Sequence, residues 1–226
     1  MKNSTLFFQQ FRREWLLQLR EPRNLFFSGL FFAMITLFFP FTVSPDPLLL
    51  RQIAPGVVWT GVLLTSLLTA ERMFQNDYQD GVIEQWLVSG QSVALLVFAK
   101  VLAHTIISLL PMVLVCALLA PGFSLSGYEM RVMLLSFILG MPGILFLCAL
   151  AAAFCTSMPQ RGLMISLIIF PLVVPVMIFG SGALQAAMLH LPVTGYFAIL
   201  MAFSLLAVTG LPLAIGAILR ISHLNS

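Results

Sequence analysis

Two groups of side chains in this sequence have the types and spacing for chemistry. The larger is the polar run from Glu71 to Gly90, ERMFQNDYQDGVIEQWLVSG, set between two apolar stretches. It carries Glu71, Asp77, Asp80 and Glu84 against Arg72 alone. Helices that only lie on lipid are usually rich in Lys and Arg, so this balance points to a protein partner instead. Asp80-Gly81 predicts a helix start, because an Asp at the N-cap accepts free backbone N–H groups. Gly90 predicts its end, since glycine tolerates the left-handed conformation found there. Between them Val82, Ile83, Trp86 and Leu87 recur at i, i+1, i+4 and i+5 and form one apolar face, while Glu84 and Gln85 point elsewhere. Gln79, Asp80, Gly81, Val82, Ile83, Glu84, Gln85 and Trp86 are therefore the candidate docking set, with Trp86 the expected anchor.

The second group is Lys100 and His104, one helical turn apart on the same face of an apolar run. An ammonium roughly two turns from a helix end is expected to snorkel outward. His104 is of a type that ligates metals, but a single histidine in such a run more often hydrogen-bonds a neighbouring helix. His104, His190 and His223 are far apart in sequence, so no metal or catalytic set is expected. Cys116, Cys148 and Cys155 lie in apolar runs without metal or redox spacing and read as small buried hydrophobes. A nucleotide-binding loop needs Gly-Lys-[Ser/Thr], yet the two lysines, Lys2 and Lys100, precede Asn3 and Val101. An ATPase of that kind is excluded.

The elements that must position these residues are dictated by composition. Hydrophobic residues make up 60%, charged residues 8%, and mean hydropathy is +1.05. Soluble chains carry about 25% charged residues, so an all-α polytopic membrane protein is expected. Six apolar runs, near 24–43, 53–70, 92–120, 130–155, 162–181 and 194–219, are each long enough to cross about 30 Å of hydrocarbon. They read as one domain over 1–226, without internal repeat. Before them Phe7, Phe11, Trp15 and Leu19 step by four along residues 5–20, an amphipathic helix for the membrane surface that Glu21-Pro22 should end. Pro111, Gly140 to Gly143, Pro171, Pro175 and Pro212 interrupt the spans and need neighbouring helices to satisfy freed backbone groups. Ser181 to Thr194 reads as a short re-entrant or outer-surface helix.

Loop charge gives orientation. With the N-terminus inside, the cytoplasmic segments hold Lys2, Arg12, Arg13, Arg20, Arg23, Arg72, Arg161 and Arg220, whereas the outer ones hold Arg51 and Arg131. Both termini and the loop 71–91 are then cytoplasmic. No Asp or Glu falls at mid-span, which argues against proton- or sodium-coupled transport. The small net charge of +3 gives no nucleic-acid footprint.

The run RQIAPGVVWTGVLLTSLLTAERMFQNDYQDGVIEQWLVSG (Arg51 to Gly90), AKVLAH (Ala99 to His104), PLVVPVMIFGSGAL (Pro171 to Leu184), HLPVTGYFAIL (His190 to Leu200) and LRIS (Leu219 to Ser222) together resemble the haem exporter B family, cytochrome c maturation protein B. One departure is Ser89-Gly90-Gln91, where the family commonly has a proline-containing turn. The resemblance implies an ABC-2-type permease subunit in the bacterial inner membrane, itself binding no cofactor. It also implies an ATPase subunit holding ATP, a membrane subunit that handles haem through a Trp-rich motif, a small single-span subunit and, indirectly, a periplasmic haem chaperone. Gln79 to Gln85 would be the coupling helix seated on the ATPase. Export of another substrate, and a mechanical scaffold that drives release of loaded chaperone without transport, remain the alternatives.

Overall fold

In hydrocarbon a chain must satisfy its own backbone groups, and helices do this within one segment. The computed structural model describes residues 2–20, 22–43, 46–156 and 161–224, and every regular element among them is helical. In chain order these are α1 (Lys2–Arg20), α2 (Pro22–Thr42), α3 (Pro47–Arg72), the short α4 (Gln75–Gln79) and α5 (Val82–Val88), then α6 (Val93–Leu119). A 3₁₀ turn, Ala120–Phe123, leads to α7 (Gly127–Phe154), α8 (Arg161–Met188) and α9 (Thr194–Leu224). Local sequence explains several boundaries. Asp46 caps α3 by accepting from Leu48 N–H at 3.0 Å, with Pro47 in the first turn, where its missing donor is not needed. Ser126 and Glu129 form a reciprocal capping box at the start of α7.

Among the described residues five helices are long and apolar enough to cross a membrane: α3 with α4, α6, α7, α8 and α9. The sixth expected span falls in α2, where the described apolar stretch, Phe26–Thr42, is shorter. At 1.5 Å per residue it covers about 25 Å. α7 is central, packing against α3, α6, α8 and α9.

That packing rests on glycine. Trp59 of α3 is fully buried, edge-on to Phe137 with ring centroids 5.3 Å apart. Its indole lies on Gly140 of α7 and Gly180 of α8 so closely that a Cβ at either glycine would strike the ring. Gly182 likewise makes room for the ring of Tyr196.

The prolines do not divide the helices. Pro111, Pro142, Pro171, Pro175 and Pro212 all lie inside continuous elements. Beside Pro142 the neighbouring helix binds the backbone of α7. Ser204 Oγ of α9 accepts from Gly143 N–H at 3.1 Å and donates to Leu139 C=O, tying α9 to the turn of α7 that holds Pro142. The expectation of a separate helix over Ser181 to Thr194 is corrected. α8 runs unbroken to Met188, and its last turns bury Ala183 and Ala187 against Val132. A turn at Leu189-His190, with His190 at φ 56°, and the irregular Leu191 to Val193 separate it from α9. The continuous apolar sequence made this segment look like a separate element, but it is simply the end of a long helix.

The contacts sort the connections into two ends. At one end α1 meets α6, Gly162 faces the Glu71 carboxylate, and α5 meets α9. At the other, Leu50 and Val57 pack on Phe123, and Arg51 ion-pairs with Glu129.

Candidate functional site

The loop between α3 and α6 folds as two abutting short helices. Asp80 is not an N-cap: it ends α4, and Gly81, at φ 70°, starts α5 without any side-chain cap. A single left-handed residue suffices to redirect the chain, so the Asp carboxylate is left facing outward. Gly90, at φ 67°, ends the segment as its sequence suggests. The exit needs no proline. Ser89 Oγ donates to Trp86 C=O at 2.8 Å and accepts from Gln91 N–H at 3.3 Å.

The apolar face of α5 turns inward. Ile83 is fully buried and Trp86 is 6% exposed, both within the chain's own core, with Val82 and Leu87 packed beside them. Trp86 is therefore a strut that fastens α5 to its own protein, not an exposed anchor for a partner. What the segment presents is Gln79, Asp80, Glu84 and Gln85, joined by Val88 at 84% exposure. Glu84 and Val88 stand one turn apart on the outer face. Val88 lies outside the apolar face that the spacing of Val82, Ile83, Trp86 and Leu87 defines.

Behind this segment lies the ion cluster. Lys100 of α6 is almost completely buried, and its ammonium does not snorkel to solvent. Glu14 of α1 reaches its Nζ at 3.0 Å, and Asp77 of α4 at 2.6 Å, an ion pair set off the line of a good hydrogen bond. Gln10 Nε2 donates to Glu14 Oε1 at 2.8 Å, and Arg13 approaches the same oxygen at 3.5 Å. Glu14 and Asp77 are both buried. Their sequence positions gave no sign of this: Glu14 sits among surface-type residues, and Asp77 looked like part of an exposed acidic loop. Distant segments meet here because a buried cation requires carboxylates within reach.

The cluster also fixes α1. That helix forms over the expected residues, but its buried stripe is polar, Gln10 and Glu14, while Phe8, Leu16, Leu17 and Leu19 are exposed. Phe7 holds it to α6 by packing on Phe98 at 5.6 Å, with Phe11 and Trp15 continuing the aromatic row. One turn beyond Lys100, His104 Nε2 lies 3.3 Å from Ser108 Oγ on its own helix. Lys100, His104 and Ser108 line a cavity of about 1280 Å³ bounded by α1, α2, α3, α4 and α6. His190 stands exposed in the α8–α9 turn at the opposite end, so the structure does not bring the two histidines together. Cys116, Cys148 and Cys155 are buried and free, as their setting implied.

Helices of this length and apolarity define a multi-pass helical membrane protein. The chain belongs to the CcmB protein family, whose model matches residues 5–222. It is 42% identical over 219 residues to heme exporter protein B of Pseudomonas aeruginosa, covering 97% of this chain and 98% of that protein. It is also 36% identical to heme exporter protein B of Haemophilus influenzae, covering 96% and 98%, and 37% identical to that of Escherichia coli K12, covering 96% and 99%.

Removing the cation leaves two buried carboxylates without their partner. Breaking a buried pair in this way costs about 3 to 5 kcal/mol. Lys100→Met should therefore lower the unfolding temperature of the purified chain in detergent and raise protease sensitivity within residues 2–20. Adding Glu14→Gln and Asp77→Asn to Lys100→Met should recover most of that loss. An unfolding temperature for Lys100→Met equal to wild type would show that the cluster does not hold α1.

Proposed function

We propose that this chain is the membrane permease subunit of an ABC-type complex for haem export in c-type cytochrome biogenesis. The observation that carries the reading is the end-to-end likeness to proteins called heme exporter protein B, at up to 42% identity over 97% of the chain. In this reading the chain is not an enzyme. ATP is bound and hydrolysed by a partner ATPase, and this chain converts its movement into movement of helices. Its other partners are a haem-handling membrane subunit, a small single-span subunit and, indirectly, a periplasmic haem chaperone. Residues 1–226 act as one permease domain in the bacterial inner membrane, with α2 as a sixth span and α1 at the cytoplasmic interface. The exposed apolar side chains of α1 support that interfacial place.

Both termini are cytoplasmic in this reading. The gathering of α1, the 71–91 loop, the start of α8 and the end of α9 at one end supports it, because that end collects most of the Lys and Arg. A single cysteine at position 80, in a background without the three native cysteines, should react with an impermeant thiol reagent only after the cells are opened. Reaction in intact cells would reverse the orientation.

The coupling face consists of Asp80, Glu84, Gln85 and Val88, held rigid from behind by Ile83 and Trp86. Asp80→Lys with Glu84→Lys should reduce recovery of the ATPase with the purified complex, by several-fold at low salt. Exposed charges are screened over about 10 Å at 0.1 M salt, so any charge contribution should shrink as salt rises. Val88→Asp should add to the loss. Trp86→Ala should instead lower the stability of this chain itself. Full ATPase recovery with the triple substitution Asp80→Lys, Glu84→Lys, Val88→Asp would end the docking role.

Haem in the complex is retained on a partner subunit. Axial ligation uses chiefly His, Cys or Met, and here His104 lies inside α6 while His190 is exposed in the α8–α9 turn, so the two do not form a pair. The double variant His104→Ala, His190→Ala should leave the haem absorbance of the purified complex unchanged. Its disappearance from an otherwise intact complex would place a haem ligand in this chain.

A further inference from the structure

The cavity in front of Lys100 is larger than its ion cluster needs. Small-molecule pockets usually enclose about 300 to 1,000 Å³, and this one encloses about 1280 Å³. Its lining is divided by chemistry. Arg20 at the end of α1 and Arg23 at the start of α2 are exposed at one margin. From Arg23 a helical stripe of Phe27, Leu30, Phe31 and Met34 runs along the wall, all four exposed. Arg23 to Met34 spans about 16 Å at 1.5 Å per residue, close to half of a hydrocarbon core of about 30 Å. The stripe is one leaflet deep, with cations at its outer margin.

The same helix continues beyond the cavity with Phe38 at 61% and Phe41 at 83% exposure, so the wall is continuous with the apolar outer surface of the bundle. In a bilayer a space open to that surface fills with hydrocarbon, not water. Among the described lining residues five are cationic and three acidic. Two of the acids, Glu14 and Asp77, are already held by Lys100. The charge left over for an occupant is positive. Basic pockets between helices on the cytoplasmic side are the usual sites for acidic lipid headgroups.

We propose that this cavity binds an acidic phospholipid, with its phosphate at Arg20 and Arg23 and an acyl chain along Phe27, Phe31 and Met34. The lipid would fill the space between α1 and α2 beside the coupling segment and so support α1 where the ion cluster does not. The assignment of the lipid to the cytoplasmic leaflet rests on the orientation proposed above. Binding in detergent has no sides, so the two readings can fail separately.

The test uses the full-length chain in detergent, titrated with phosphatidylglycerol or phosphatidylcholine and read by native mass spectrometry. Phosphatidylglycerol should be retained in clear preference, and an equal concentration of inorganic phosphate should not displace it. Arg20→Gln with Arg23→Gln should weaken retention about thirtyfold, the loss expected for two surface cations. Met34→Trp, which fills the apolar wall, should weaken it as well. Arg220→Gln, at the same end but outside the cavity, should leave retention unchanged. Equal retention of the two lipids, equal loss with Arg220→Gln, or no loss with the double Arg variant would each overturn the proposal. So would displacement of the lipid by added haem, with a haem absorbance that disappears in the double Arg variant, because the site would then belong to a porphyrin dicarboxylate.

Discussion

One buried ammonium organises the end of the molecule that carries the acidic loop between α3 and α6. Lys100 cannot be left alone among apolar helices, and an isolated charge there would be too costly to keep. It draws Glu14 from a helix 86 positions earlier and Asp77 from the loop before it. Three elements that differ in sequence position and character are thereby fixed to one point. The N-terminal helix, the acidic loop and α6 must move together or break an ion pair. The cluster is a rigid link from α4 into the bundle, and it runs through charge instead of apolar contact.

The rest of the bundle is held by shape. Trp59 occupies a space that exists only because positions 140 and 180 are glycine, and α3, α7 and α8 close around it. Ser204 of α9 bonds Gly143 N–H and Leu139 C=O, fastening the turn of α7 that holds Pro142 to its neighbour. At the far end Arg51 and Glu129 form a second clamp, in which the carboxylate also caps α7. Two ionic clamps thus stand at opposite ends, with a small-residue core between them. The apolar sheath outside, including the long exposed row of α2, is left to lipid and partners.

Much of this architecture is legible in the sequence, because hydrocarbon imposes a simple demand. Any chain that crosses it must be helical, about 20 residues per pass and nearly free of charge. The positions of α3, α6, α7, α8 and α9, the amphipathic α1 and the structured loop from Glu71 to Gly90 all follow from that demand and from Gly and Pro placement. The end-to-end family resemblance was also readable, since motifs such as Arg51 to Gly90 survive as contiguous runs. The tertiary structure decided which face of each element is used. Periodicity finds the apolar side of α5, but it cannot say whether that side meets a partner or the chain's own core, because both remove the same atoms from water. It cannot find Glu14 and Asp77 as buried partners either, since ion pairing depends on three-dimensional proximity and those residues are far apart in sequence. Local pattern determined the helices; burial of one cation and the fit of one tryptophan determined how they meet.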